Sequence, residues 1–254
     1  MKKTAIITGA SSGIGLKTAQ DLIEEGWIVY GIDINLETFT KAKSLISNTH
    51  FKPIACDLTK VEHVSKAMAK IQSETNSINA LIACAGILRL GPLTEMSVKD
   101  FDLIFNVNVR GLWLSITGSM PMLLKAAKNS GSARIILLSS VSALRPKIDS
   151  GAYSASKAAV SQLTRVLAVE CAKNNITVNA LAPGTVDTPM VRDQNSISKQ
   201  GNWRPSGPSP LGRIAQPEDI VKVIKFLLSD GSSYVTGTTI PVDGGTQAAF
   251  IPPT

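Results

Sequence analysis

Tyr153 and Lys157 stand four residues apart in Ala152-Tyr153-Ser154-Ala155-Ser156-Lys157, and Ser140 lies thirteen positions before the tyrosine, behind a strand-like run. Positions i and i+4 of a helix share a face, so the phenol and the ammonium can point into one cleft. An unperturbed tyrosine has a pKa of about 10, whereas acid/base work near neutrality needs a value roughly 2 to 3 units lower. At about 1.36 kcal/mol per unit, nearby positive charge has to supply on the order of 3 to 4 kcal/mol, and Lys157 is a suitable source. Such a group suits a reaction in which a hydroxyl loses or gains a proton while its carbon loses or gains hydride. Taken alone, a Tyr and a Lys at this spacing are usually just a packed ring beside a solvated ammonium, so the rest of the chain has to decide.

Thr4-Ala5-Ile6-Ile7 is a short run of strand formers. It leads directly into Thr8-Gly9-Ala10-Ser11-Ser12-Gly13-Ile14-Gly15 and then a helical pattern through Thr18, Ala19, Leu22 and Ile23. Strand, glycine turn and helix is the context of a phosphate cradle. Glycine permits the tight turn and the close approach of backbone to pyrophosphate, and the helix N-terminus offers unpaired N–H groups and partial positive charge. A second strand, Trp27-Ile28-Val29-Tyr30-Gly31-Ile32, ends in Asp33. A carboxylate there can accept both ribose hydroxyls of NAD and would repel the 2′-phosphate of NADP. No Lys or Arg occupies the glycine turn, and Ile34 rather than Arg follows Asp33. NAD is the expected cofactor over NADP, and its oxidised ring would be a second positive neighbour for Tyr153.

With T-G-x-x-x-G-x-G at Thr8 to Gly15 and Y-x-x-x-K at Tyr153 to Lys157, the chain resembles the short-chain dehydrogenase/reductase family, in its shorter single-domain branch, nearly end to end. The resemblance implies a Rossmann-like doubly wound parallel sheet of about seven strands. It places the cofactor against Gly9, Ser11, Ser12, Gly13, Ile14 and Gly15, and against Asp33 and Ile34. It gives Cys56, Asp57 and Leu58 to the adenine, and Ala85-Gly86 to the adenosine ribose. Asn108, in Asn106-Val107-Asn108-Val109-Arg110-Gly111, matches the catalytic Asn that kinks a helix and holds a water of the proton relay. Ser140 matches the residue that orients the substrate, and Pro183, Gly184, Val186 and Thr188 match the segment on the nicotinamide carboxamide. The family's N-N-A-G reads Ala83-Cys84-Ala85-Gly86 here, which puts local hydrogen bonding of the sheet in question. Cys84 invites a redox reading, but a small buried thiol is the expectation.

At 254 residues the chain can be one large α/β unit or two small domains. No linker, low-complexity tract or repeat interrupts the alternation of strand-like and helix-like segments from residue 4 to about residue 242, so one domain over 1–254 is expected. The apolar runs at 27–32, 80–85, 134–139 and 176–182 lack clear alternation, as parallel strands covered by helices on both faces do. The opening Met1-Lys2-Lys3 is followed by too short an apolar stretch for a signal peptide, and the longest membrane candidate, Leu103 to Leu124, is broken by Asn106, Asn108 and Arg110. A cytoplasmic protein without membrane association is expected. Cys56, Cys84 and Cys171 are widely spaced, and His50 and His63 are the only histidines. Neither a disulfide framework, a metal site nor a Ser-His hydrolase is suggested.

The net charge of +7 and pI near 9.4 raise nucleic acid as a partner, but Lys41/Lys43 and Lys60/Lys66/Lys70 are scattered and no dense basic run appears. A solvated basic surface is the expectation, with no nucleic acid. Arg89, Arg145 and Lys147 fall where the resemblance places the substrate mouth. One of them pairing with an anionic substrate such as a carboxylate is weighed against loop charges facing water. Residues 191–213 are polar and rich in Pro, Gly and Ser, with Trp203, and in the resembled family a lid of about 186–213 covers the substrate. Trp203 could stack on a ring-bearing substrate or pin the loop to the body. Two long helical patterns, about 98–127 and 153–173, carry more apolar residues than one sheet face can cover. In similar proteins such helices pair across subunits, which implies a homo-oligomer, a tetramer.

The expected reaction is hydride transfer between NAD(H) and a small-molecule secondary alcohol or ketone. Tyr153 is the acid/base, Ser140 holds the substrate oxygen, and Lys157 binds the nicotinamide ribose and lowers the Tyr153 pKa. Asn108 anchors the relay water. An NADPH-dependent 3-oxoacyl-(acyl-carrier-protein) reductase is the alternative within the enzyme class, and a nucleotide-binding regulatory protein the alternative outside it.

Overall fold

Thr4, Ala5, Ile6, Ile7 and Thr8 are β-branched or small, and all five are buried, so the run forms a central strand rather than an edge. The computed structural model describes residues 2–34, 37–39, 49–197 and 209–249. Its elements run β1 (Thr4–Thr8), α1 (Gly13–Glu24), β2 (Ile28–Asp33), β3 (Phe51–Ala55), α2 (Val61–Glu74) and β4 (Ala80–Ala83). There follow α3 (Val98–Phe105), a π-helical turn (Asn106–Gly111), α4 (Leu112–Ser130), β5 (Ala133–Leu138), a short 3-10 turn (Val141–Ala143) and α5 (Gly151–Ala172). The chain continues through β6 (Ile176–Pro183), α6 (Pro189–Ile197), α7 (Pro217–Leu228), a 3-10 turn (Asp230–Ser232) and β7 (Thr239–Val242).

The strands form one seven-stranded sheet in the order β3-β2-β1-β4-β5-β6-β7. Every pairing is parallel, with Ile6 opposite Tyr30 and Leu81, and Ile82 opposite Ile136. Successive side chains of each strand enter different cores. Ile6, Ile32, Leu81, Ile135 and Val178 pack with residues of α2, α4 and α5, while Ala5, Ile7, Val29, Ile82, Ile136 and Leu181 pack with residues of α1 and α7. Burial on both faces is why the strands read as unbroken apolar runs, each large side chain contributing about 1.5–3 kcal/mol.

The strand order reverses between β1 and β4, and a crevice opens at such a switch point beyond the C-terminal ends of the strands. The two ends are stapled there: the Cys84 amide donates to the Thr8 carbonyl at 3.2 Å and the Ala85 amide to Thr8 Oγ1 at 3.2 Å.

The helical pattern expected as one element over 98–127 is two helices separated by the π-helical turn. An i to i+5 turn inserts an extra residue and rotates the helix beyond it, and such turns frequently sit at functional sites. The expected lid is not irregular throughout, because α6 occupies 189–197. Residues 198–208 of that lid, with Trp203, lie outside the described residues, as do Lys41 and Lys43. Among the described residues no helix is long and apolar enough to cross a membrane.

Candidate active site

The glycine turn between β1 and α1 closes on itself tightly. A Cβ on Gly15 would lie 2.1 Å from the Gly9 carbonyl oxygen, and one on Gly9, whose φ is +67°, would lie 2.9 Å from the Ala85 amide nitrogen. No side chain can be added at either place without moving backbone. Ser12 precedes α1 without capping it through its side chain, and no acidic residue stands in the helix's first turn. The first amides of α1 are therefore left for a group outside the helix, and the helix field favours an anion.

In front of this turn lies a cavity of about 360 Å³, lined by Gly9, Ser12, Gly13, Ile14 and Gly15, by Asp33 at the end of β2 and by Ile34 after it. Cys56, Asp57 and Leu58 after β3, Ala85 and Gly86 after β4, and Thr188 at the foot of α6 complete the wall, beside Arg89. Ser11 lies behind the wall. Its amide and hydroxyl donate to Asp33 Oδ2 at 3.1 and 2.7 Å, and the Ile34 amide donates to Oδ1 at 2.8 Å, so the carboxylate is fixed at the rim. Asp57 Oδ1 is likewise held by the amide and hydroxyl of Thr59, at 2.9 and 2.7 Å. Ile34 is a solvent-exposed edge of the rim.

A cleft of about 90 Å³ adjoins the cavity, the two sharing Met190, and is lined by Leu88, Ser140, Val141, Lys147, Tyr153 and Gly184. Burial pushes the Tyr153 phenol above its ordinary pKa, and the Ser140 hydroxyl beside it pulls the other way. The expected lowering by Lys157 is not found among the protein groups acting on Tyr153. The ammonium sits 5.7 Å from the ring centroid, donates at 2.7 Å to the Leu138 carbonyl, and is itself brought down to about 8 by burial. Burial disfavours the charged form of each group, which raises the phenol and lowers the ammonium.

Asn108 is fully buried on the π-helical turn. Its Nδ2 donates to the Ile87 carbonyl and to Ser156 Oγ, each at 3.0 Å, and its Oδ1 accepts from the Ile87 amide at 2.8 Å. Both amide hydrogens are thus engaged by protein. A Cβ on Gly86 would come within 3.2 Å of Asn108 Oδ1 and 3.3 Å of Lys157 Nζ, so these two atoms crowd the same bare stretch of backbone.

Arg145, one of the three basic residues weighed for an anionic substrate, stands elsewhere. It does not face the cleft, because its guanidinium donates to the carbonyls of Thr246 and Ala249, each at 2.9 Å, and binds the C-terminal segment to the body. Val186 buries its side chain in the core, where its bridge to Ala215 draws it in. Pro183 is buried at the end of β6. Cys84 is only half-buried and borders the cavity, and burial pushes its thiol up to about 12, which keeps it protonated and a poor nucleophile. Ser156, Thr59 and the Leu138 carbonyl were not legible as site groups, since nothing in residue type marks a serine or a carbonyl that orients another side chain. Ser139, whose hydroxyl donates to the Lys157 carbonyl at 2.9 Å, belongs with them.

A family model described as enoyl-(acyl carrier protein) reductase matches residues 9–247. A cyclopentanol dehydrogenase of a Comamonas species is 36% identical over 250 residues, covering 97% of each chain. A 3-oxoacyl-(acyl-carrier-protein) reductase of Thermotoga maritima is 35% identical over 247 residues, covering 96% of this chain and 97% of that one. The crystal structure of a 3-ketoacyl-(acyl-carrier-protein) reductase from Brucella melitensis complexed with NADH superposes with a TM-score of 0.86 at 29% identity, over 96% of this chain and 98% of the other. Fold, strand order and near end-to-end similarity agree, and this chain belongs to the short-chain dehydrogenase/reductase family of oxidoreductases.

Proposed function

We propose that the protein is an NAD-dependent dehydrogenase of a compact secondary alcohol, run in reverse as a ketone reductase. The observation that carries the reaction is the meeting of Ser140 and Tyr153 in one small cleft directly beside the glycine-walled cavity. The cradle suits a dinucleotide: an uncapped helix start for the pyrophosphate, glycines that leave no room for side chains, and carboxylates at Asp33 and Asp57 for ribose and adenine. The Asp33 carboxylate at the rim, with no Lys or Arg in the glycine turn, favours NAD over NADP.

When bound, the nicotinamide ring supplies the hydride acceptor or donor and a positive charge beside the phenol. The protein's own groups do the rest. Ser140 donates to the substrate oxygen and holds it against Tyr153, which takes the hydroxyl proton during oxidation and returns it during reduction. Lys157, anchored on the Leu138 carbonyl, keeps two further hydrogens for the ribose hydroxyls. With both Asn108 amide hydrogens engaged, its part in a proton relay falls to its oxygen atoms as acceptors.

The cleft is small and walled partly by Leu88, Val141 and Met190, which supports a compact, largely apolar substrate such as an alicyclic alcohol. Lys147 at its edge leaves room for an anionic substituent. Assay of secondary alcohols with NAD⁺, on wild type and Tyr153→Phe, tests the reading. Turnover by wild type and a loss of 10²–10⁴-fold in kcat for the variant are expected. Absence of turnover with any alcohol or ketone, or an active Tyr153→Phe, would overturn it.

Exposed apolar residues on α3, α4 and α5, among them Phe101, Trp113, Val166 and Val169, support a homo-oligomer, with a tetramer the reading to be tested by sedimentation.

A further inference from the structure

The far end of the sheet from the active site holds a second chamber, of about 630 Å³, with a basic lining: Lys2, Lys3 and Arg134 against the single carboxylate of Asp230. Lys2 and Lys3 are exposed, and the Lys3 ammonium lies 5.5 Å from the centroid of the Trp27 ring in the same wall. Arg134 is different. It is only 6% exposed, yet its Nε has no hydrogen-bond partner, and its one bond among the described residues is a 3.3 Å contact from Nη1 to the Ala133 carbonyl.

A guanidinium is a planar fork built for an oxyanion, and buried charges in folded proteins are ordinarily paired. Two structural partners are at hand and neither is used. The last carbonyls of α7 end beside the chamber at Leu228, where a cation would be favourable, but Arg134 makes no bond to them. Asp230 acts on Arg134 only through its field, because no ion pair joins them among the described residues. Amide and hydroxyl donors of Asn76, Asn129 and Ser132 share the wall. A deep forked cation, two exposed lysines, of which Lys2 Nζ lies 2.8 Å from His50 Nε2, and neutral donors around one chamber match a small dianion in charge and in hydrogen-bonding character.

We propose that this chamber binds a phosphate dianion, free or borne on a small organic ligand, with Arg134 as the buried anchor and Lys2 and Lys3 closing over it. Arg134 is the second residue of β5, and Ser140 follows that strand's other end, so at about 3.3 Å per residue the two sites are about 20 Å apart. Occupancy of one does not require occupancy of the other.

Calorimetric titration of the full chain with inorganic phosphate, in chloride at matched ionic strength and with NADH present, tests the proposal. It is repeated with glycerol phosphate and with Arg134→Met and the Lys2→Met/Lys3→Met pair. One saturable site is expected in wild type, weakened tenfold or more in both variants, with cofactor affinity unchanged. Tighter binding of the monoester would assign the phosphate to an organic ligand, and tighter binding of the inorganic ion would assign it to free phosphate. If Arg134→Met fails to fold, the lysine pair, being exposed, still decides. Absence of saturable binding, or equal binding in wild type and the lysine variant, would overturn the proposal.

Discussion

Asn108 and Ile87 are joined reciprocally: the Asn108 side chain accepts from the Ile87 amide at 2.8 Å and donates to the Ile87 carbonyl at 3.0 Å. This pair ties the π-helical turn to the segment after β4 and so sets the distance between Gly86 and the residues of α5. Asn108→Ala should leave both backbone groups of Ile87 without their partner, at a cost of about 2–3 kcal/mol in urea unfolding. Ser156→Ala removes two bonds, the one its hydroxyl accepts from Asn108 Nδ2 and the one it donates to the Tyr153 carbonyl at 2.7 Å, and should cost about 1–2 kcal/mol. Equal stability of Asn108→Ala and wild type would show that the turn is held by other contacts.

Asp33 should decide the cofactor. Asp33→Ala is expected to weaken NADH binding about 10–100-fold, the equivalent of about 1.4–2.8 kcal/mol, while NADPH binding improves. Nicotinamide fluorescence titration reads both. An NADPH preference already present in wild type would move the acyl-carrier-protein ketoreductase reading to first place.

Lys157 should leave a signature in the pH dependence of stability. Its folded pKa of about 8 lies below the ordinary 10.5, so between those values the unfolded chain binds more protons than the folded one. Stability contributed by this group therefore rises as pH climbs through 8 towards 10.5 and is lowest below 8. Between pH 7 and 9, wild type should gain about 1 kcal/mol relative to Lys157→Met. Parallel stability curves over that interval would show a lysine with its usual pKa.

Arg145 should behave as a clasp. Arg145→Ala removes the donor that holds the Thr246 and Ala249 carbonyls. Faster proteolytic cleavage near residues 246–249 is expected, with the KM of acidic substrates unchanged. A rise in that KM alone, with cleavage as in wild type, would restore Arg145 to the substrate mouth.

Much of the frame was legible without coordinates, and for a local reason. Thr4 to Gly15 specify strand, turn and helix through neighbours only: β-branched residues, then glycines where a Cβ would strike backbone, then a 3.6-residue apolar period. The unbroken runs at 134–139 and 176–182 announce strands covered on both faces because each successive side chain meets a different core. Asp33, Ser140, Tyr153 and Lys157 stand out by type and spacing in the same way. What tertiary structure alone decided are the groups whose meaning depends on who lies opposite. Arg145 reads as either a loop charge facing water or one of three candidates for an anionic substrate until the C-terminal carbonyls, a hundred residues onward in the chain, are brought against it. Lys157 reads as a simple positive neighbour until burial is seen to lower its own pKa and raise that of Tyr153. Arg134, at the start of the run 134–139, gains its meaning only when folding buries it at the wall of a chamber that it shares with Lys2 and Lys3. Residue types and their spacing carry the local backbone and the chemistry available, whereas solvation and partners are properties of the space between elements distant in sequence.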